Sequence, residues 1–197
     1  MKLDMRFINR PIEDLWCQAI VLFVFKGPSL LNDVLSSINE KMGGSIGDII
    51  DKGVWTGDRG ESFLLATQDA IRADKLLMRG LGHKRAFSAK VVIKESTETG
   101  IALDKIGVRE FGIHMPSYDS RERKYGHYLE AAARGLVETF YKRHQGDPDF
   151  LLKIFFSIDK GLVNHVEPVI KKLKESMLPG LEFSIMSERK ANKDYEE

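Results

Sequence analysis

Apolar and polar positions in this chain follow two periods in turn, and the clearest exchange between them runs over residues 110–158. Phe111, Ile113 and Met115 predict a strand that stops at Pro116-Ser117, followed by a polar loop over 118–124. From Tyr125 the apolar residues take a helical spacing through Tyr128, Leu129, Ala132, Ala133, Leu136, Val137, Phe140 and Tyr141. Beyond Gly146-Asp147-Pro148-Asp149, residues 150–158 are apolar almost throughout and of strand length. Such a run predicts a strand buried on both faces, and so a sheet covered by helices. A crossover of this length lets the two strands lie parallel.

The remaining pattern extends the same alternation. Residues 3–8 predict a first strand. Residues 19–25, the most hydrophobic run, predict a central one that stops at Lys26-Gly27-Pro28. Proline suits a helix start, and Leu30, Leu31, Val34, Leu35, Ile38 and Met42 then form an apolar stripe ended by Gly43-Gly44. Ile46, Ile49 and Ile50 suggest a short second helix or turn. Residues 54–56 and 62–67 flank Gly57-Asp58-Arg59-Gly60, which reads as a hairpin. A strand over 75–79 ends in Gly80-Leu81-Gly82-His83. Residues 87–106 keep helical spacing, although Val91-Val92-Ile93 and the threonines at 97 and 99 oppose it. A last helix runs over 166–177, starting or kinking at Pro168, and a last strand over 181–186. The expected architecture is a three-layer α/β/α sandwich on a mixed sheet. Its antiparallel pairing is expected around 54–67, with one domain over 1–187 and a charged tail over 188–197.

Composition narrows the partners more than the fold. Thirty basic against 29 acidic side chains leave a formal net charge of +1. That balance disfavours a broad polyanion-binding surface and so disfavours nucleic acid. The single cysteine, Cys17, cannot close an internal disulfide and fits a reducing compartment. No apolar run has the length of a signal peptide or a membrane span, so a cytoplasmic location is expected.

Complete catalytic motifs are absent from the sequence. The histidines, at 83, 114, 127, 144 and 165, form neither HExxH nor any cluster at metal-ligand spacing, so no metal or cofactor is expected. Cys17 reads as a structural thiol rather than a nucleophile, and GxSxG is missing. Gly80-Leu81-Gly82 after a strand is either the start of a dinucleotide loop or a tight turn, and Arg85 stands where GxGxxG needs its third glycine. Four loops follow predicted strands: Lys26-Gly27-Pro28, residues 80–83, residues 116–125 and Asp159-Lys160-Gly161. Parallel strands would gather them at one sheet edge, where open α/β folds bind ligands and helix N-termini offer N–H groups to anions. Lys26, His83, Lys124 and Lys160 would add positive charge, and His83 and Asp159 are the candidates for a poised polar group. The alternative is an edge that is filled or unused.

The order of three segments adds a resemblance. Ile38-Asn-Glu-Lys-Met-Gly-Gly-Ser-Ile46, Trp55-Thr-Gly-Asp-Arg-Gly-Glu61 and Leu76-Leu-Met-Arg-Gly-Leu-Gly82 resemble the N-terminal domain of the cytosolic leucyl aminopeptidase family over roughly residues 18–145. The resemblance implies a macrodomain-like fold. Met115-Pro116-Ser117, Tyr125-Gly126 and the helix after them then take the place of the macrodomain phosphate-binding loop. Arg121, Arg123 and Lys124 stand there where small residues are expected. The family's two-metal peptidase site belongs to a C-terminal domain without counterpart here, so peptidase activity is not expected. Two readings stay open. One is a non-catalytic module that associates with a protein partner, a second copy or a ligand. The other binds or hydrolyses a phosphate-bearing, nucleotide-type ligand such as an ADP-ribose derivative. DNA binding, known for some aminopeptidases of the family, is disfavoured by the charge balance. The expected ligand residues are Lys26, Gly27, Gly80, Gly82, His83, Ser117, Tyr125, Gly126 and Asp159.

Overall fold

The chain orders its elements as β1 (Lys2–Ile8), β2 (Ala19–Lys26), α1 (Asp33–Lys41), α2 (Ser45–Asp51), β3 (Ser62–Ala66), β4 (Lys75–His83), α3 (Ala89–Lys105), β5 (Glu110–His114), α4 (Tyr125–His144), β6 (Leu151–Ser157), α5 (Val166–Glu175) and β7 (Glu182–Ser187). The structure is a computed structural model that describes residues 1–27, 30–31, 33–117 and 124–188. Its strands form one sheet in the order β3-β4-β2-β5-β6-β1-β7. All neighbours pair parallel except β3 and β4. The expected helix start at Pro28, the loop residues 118–123 and the tail beyond 188 lie outside the described residues.

The layers follow from which side chains each strand hands to each face. Val21, Phe23, Phe111, Ile113, Leu152, Ile154 and Phe156 form one core with α3, α4 and α5. Ile20, Leu22, Val24, Leu76 and Met78 form the other with Leu35 and Ile38 of α1 and Ile46 of α2. This is the α/β/α sandwich on a mixed sheet. β2 has both faces covered and is buried along almost its whole length. β6 is not its equal: Leu152, Ile154 and Phe156 are buried, but Leu151 is 40% exposed and Lys153 and Phe155 are half-buried. The smaller α1–α2 layer lies over the β2–β4 side, and of the described β6 residues it is Phe155 that packs against that core. In α3, Ser88 caps the start through Val91 N–H, and burial of Val91 and Val92 outweighs the weak helix propensity of β-branched residues.

The expected hairpin over 54–67 is corrected. Residues 54–56 form no strand, and β3 turns back instead onto β4, pairing Ser62 with Arg79 through Ala66 with Lys75. Trp55 is an anchor in the core, 1% exposed, whereas Val54 beside it is 60% exposed. The Gly57–Gly60 stretch is the run-in to β3 and lies along the end of β4. There β4 is fixed to its neighbours by Arg79, whose guanidinium reaches Glu95 of α3 at 2.6 Å and Ser62 of β3 at 2.5 Å, all but sealed from solvent. Removing either member of such a buried pair leaves an uncompensated charge.

Candidate functional site

Because β4, β2, β5, β6 and β1 are parallel neighbours, their C-terminal ends and the loops after them share one edge of the sheet. Three cavities open there among the described residues: one of about 390 Å³ past the ends of β1, β6 and β7, lined by Phe7, Ile158, Val166 and Glu188, and two others of opposite character. The first of these two, of about 470 Å³, lies beyond β4, β2 and β5. Val24, Phe25 and Leu30 give it an apolar floor, and Lys26, His83, Lys84 and Arg85 rise around it, with Pro116 and Ser117 closing the far side. No carboxylate lines it among the described residues. Lys84 places its ammonium 5.6 Å from the centre of the Phe25 ring, and Phe25 in turn meets Phe87 edge-on at 4.8 Å. Just outside the cavity lining, Asp58 takes a hydrogen bond from Lys26 Nζ at 2.6 Å and another from Thr56 Oγ1 at 3.0 Å. These bonds, led by Lys26, hold its carboxyl below the usual range.

The second cavity, of about 270 Å³, lies on the other side of β5. Its walls are the 9–13 loop, the start of α1 and the ends of β5 and β6, and it is lined by Asn9, Glu13, Asp33, His114 and Asp159. His114 is 4% exposed. Burial holds its imidazole below the ordinary histidine value, against the opposing pull of Asp159, a backbone bond to Ser157, and Glu13. Burial alone would raise the Glu13 carboxyl. Hydrogen bonds from its own backbone, from Ser37 Oγ at 2.8 Å and from Lys41 Nζ at 3.4 Å bring it below the usual value instead.

Of the residues expected from the sequence, Lys26, Gly27, His83 and Ser117 meet at the first cavity. Asp159 lines the second. Gly80 and Gly82 are engaged elsewhere: Gly80 N–H donates to Glu61 O at 2.9 Å and Gly82 N–H to Gly57 O at 3.0 Å. A Cβ on Gly80 would stand 2.1 Å from Asp58 O, and Gly82 sits at φ +71°, beside Arg59. The pair of glycines therefore seats the 57–61 segment against β4. Tyr125 is fully buried, edge-on to His165 at 6.2 Å. Gly126 gives α5 room to approach, with Val169 Cγ2 and His165 O 3.2 and 3.3 Å from where a Cβ would be. Arg121 and Arg123 fall outside the described residues.

Lys84, Arg85, Glu13 and His114 were not singled out by the sequence. A polar histidine inside the apolar run of β5 was a usable signal for the last, since its side chain falls on the face opposite Phe111 and Ile113. Cys17 donates Sγ–H to Ala19 O at 3.1 Å, and burial pushes its thiol up to about 11. Among the described residues, no group of three or more His, Cys, Asp or Glu is placed to hold a metal ion, and no helix is long and apolar enough to cross a membrane.

Comparison with known proteins gives this geometry a lineage. The family described as the cytosol aminopeptidase family, N-terminal domain, matches residues 21–145. A probable cytosol aminopeptidase of Halorhodospira halophila is 24% identical over 120 residues, covering 60% of this chain. The match takes in 24% of that protein, so this chain spans about a quarter of the length of such relatives. Among solved structures, a mutant of tomato leucine aminopeptidase superposes with a TM-score of 0.66 at 12% identity, over 85% of this chain and 35% of that one. A Trypanosoma brucei macrodomain in complex with ADP-ribose superposes with a TM-score of 0.59 at 17% identity, over 83% of this chain and 68% of that one.

Proposed function

This chain belongs to the cytosol aminopeptidase family by its N-terminal domain, and from that premise we propose that it is a non-catalytic, macrodomain-like module that binds a phosphate-bearing small molecule at the sheet edge. The observation that carries the reading is the first cavity: three Lys or Arg side chains and His83 around an apolar floor, and no carboxylate among the described lining residues. Apolar area there suits a ring system, and the cations suit phosphate oxygens. Support also comes from a macrodomain of like fold that carries ADP-ribose and another structure of it that carries ADP. An open cleft favours ligand binding over an edge closed by its own side chains.

The test is calorimetry and thermal melting of the full chain with ADP-ribose, ADP and inorganic phosphate. A bound diphosphate raises Tm by mass action, by about 2.7 kcal/mol of stability at 100 times its Kd. Arg85 is exposed, so Arg85→Glu reverses one charge with the fold kept and weakens binding by roughly tenfold. Absence of both heat and thermal shift for all three ligands rejects this reading. It would transfer the function to protein association, for which the edge strand β7 offers Phe183 and Met186, 38% and 44% exposed.

A further inference from the structure

The second cavity has a hydrogen-bonding character that fits a different ligand. We propose that it binds a small organic cation that donates hydrogen bonds, a primary alkylammonium, between Asp33 and Asp159 and over His114.

The donors around the cavity are already committed to the protein itself. Ser37 Oγ donates to Glu13 at 2.8 Å and Ser157 Oγ to Arg10 O at 2.8 Å. The Asn9 side-chain nitrogen donates to Ile158 O at 2.7 Å, and the Arg10 guanidinium is drawn away to Glu188 at 2.7 Å. Arg10 also lines the space but is paired with Glu188, and the side-chain groups left uncommitted there are acceptors. Asn9 keeps its side-chain oxygen, because its nitrogen holds Ile158. Asp33 and Asp159 are exposed carboxylates at the rim, and neither has an ion-pair partner among the described residues.

His114 supplies the observation independent of these carboxylates. It lines the cavity while 4% exposed, and its one hydrogen bond among the described residues is to the Ser157 backbone. A neutral imidazole that donates through one nitrogen presents a lone pair on the other. Burial keeps that ring neutral, so it accepts a hydrogen bond without repelling a cation. An anion would meet carboxylates and a lone pair. A hydroxyl would leave the two unpaired aspartates uncompensated. An ammonium ion has three donors and the opposite charge, and its hydrogen bonds to carboxylate are of the charge-assisted kind.

The probe is n-butylammonium chloride, titrated into the full chain and followed by calorimetry and by the His114 ring resonances. Tetramethylammonium chloride, which has the charge but no N–H, and potassium chloride serve as controls. The expected result is saturable butylammonium binding with a shift of the His114 signals, and no such response to either control. Asp159 makes no capping bond at the turn it begins, so Asp159→Asn is expected to keep the wild-type Tm. It weakens binding by roughly tenfold, and the Asp33→Asn, Asp159→Asn double variant loses it. The proposal is overturned if butylammonium does not saturate, if tetramethylammonium or potassium gives an equal response, or if the folded variants bind as tightly as the wild type.

Discussion

The two cavities share one sheet edge and one origin, the ends of parallel strands, yet they were filled with opposite chemistry. Beyond β4, β2 and β5 the chain places Lys26, His83, Lys84 and Arg85 and no described carboxylate. Across β5 it places Glu13, Asp33 and Asp159 around a buried histidine, with Arg10 turned toward Glu188. Topology decides only where a crevice can form. The loops decide what it accepts, and a net charge of +1 conceals both sites because they nearly cancel. The support beneath them differs as well. The basic cleft stands on β4, which is tied by the Arg79–Glu95 pair and by a segment crossing its glycines. The other is held by loop-to-strand bonds such as Asn9 to Ile158 and Ser157 to Arg10.

The largest test of this contrast is Gly80→Ala. With Asp58 O 2.1 Å from the new Cβ, the 57–61 segment must leave its seat on β4. A displacement of packed backbone costs about 3 kcal/mol, or a Tm lower by roughly 10 °C for a chain of this size. The damage should fall on the basic cleft alone, leaving the butylammonium response unchanged. Melting curves decide what the glycines do. A variant with wild-type Tm that has lost only its response to ADP-ribose makes them a ligand cradle instead of a seat.

That question shows where the sequence could be read and where it could not. Apolar runs at 19–25 and 150–158 announced two strands of one sheet, and parallel pairing of the strands read over 75–79 and 111–115 with the first of them then placed Lys26, Gly27, His83 and Ser117 together. Residues 54–56 misled because three bulky residues look like a strand edge, whereas in the structure Trp55 points into the core and Val54 into water. Gly80-Leu-Gly82 read as a dinucleotide loop or a tight turn, but β4 runs through it to His83, and the glycines instead admit the chain's own Gly57, Asp58 and Arg59. His83 and Asp159, the two candidates for a poised polar group at one edge, stand at separate cavities, because β1 takes its place beside β6, and the 9–13 loop after it walls off the second space. No local pattern encodes that pairing across the whole length of the chain. His114 was visible as a polar residue in an apolar strand, but its meaning depends on the same long-range neighbour.

A smaller effect separates the sites by pH. His114 is held neutral by burial, so its folded value lies below the 6.5 of a free histidine. Above pH 6.5 neither folded nor unfolded chain binds this proton, and stability is level. As pH falls below 6.5 the unfolded chain takes up the proton first, and stability drops toward the folded value of His114, by about 1.4 kcal/mol per unit of difference. The depressed carboxyls Glu13, Asp58 and Asp104, the last bonded to Arg143 and His144, act only below their ordinary values, 4.5 for Glu13 and 3.8 for the aspartates, so the window from 6.5 to 4.5 leaves the His114 contribution clear of them. His114→Gln keeps a donor for the Ser157 backbone and removes the titration. Denaturant midpoints should then vary less with pH in the variant than in the wild type across that window. Equal slopes would mean that His114 is not the group being titrated.

The smallest effect belongs to the ion pair beside the basic cleft. Lys26 and Asp58 meet at 2.6 Å, but the Asp58 side chain is 53% exposed and water screens the attraction. Asp58→Asn should therefore leave Tm close to that of the wild type. Its consequence lies in binding. The carboxylate holds the Lys26 ammonium and presents a negative charge next to the space where phosphate is proposed to sit, so its removal frees one cation and cancels one repulsion. ADP-ribose should bind about threefold more tightly at low salt, with the gain shrinking as ionic strength rises. Butylammonium, across β5, should be unaffected. A large fall in Tm would make the pair a structural tie after all. An affinity gain that ignores salt would show that Asp58 acts by shaping the loop and not by its charge.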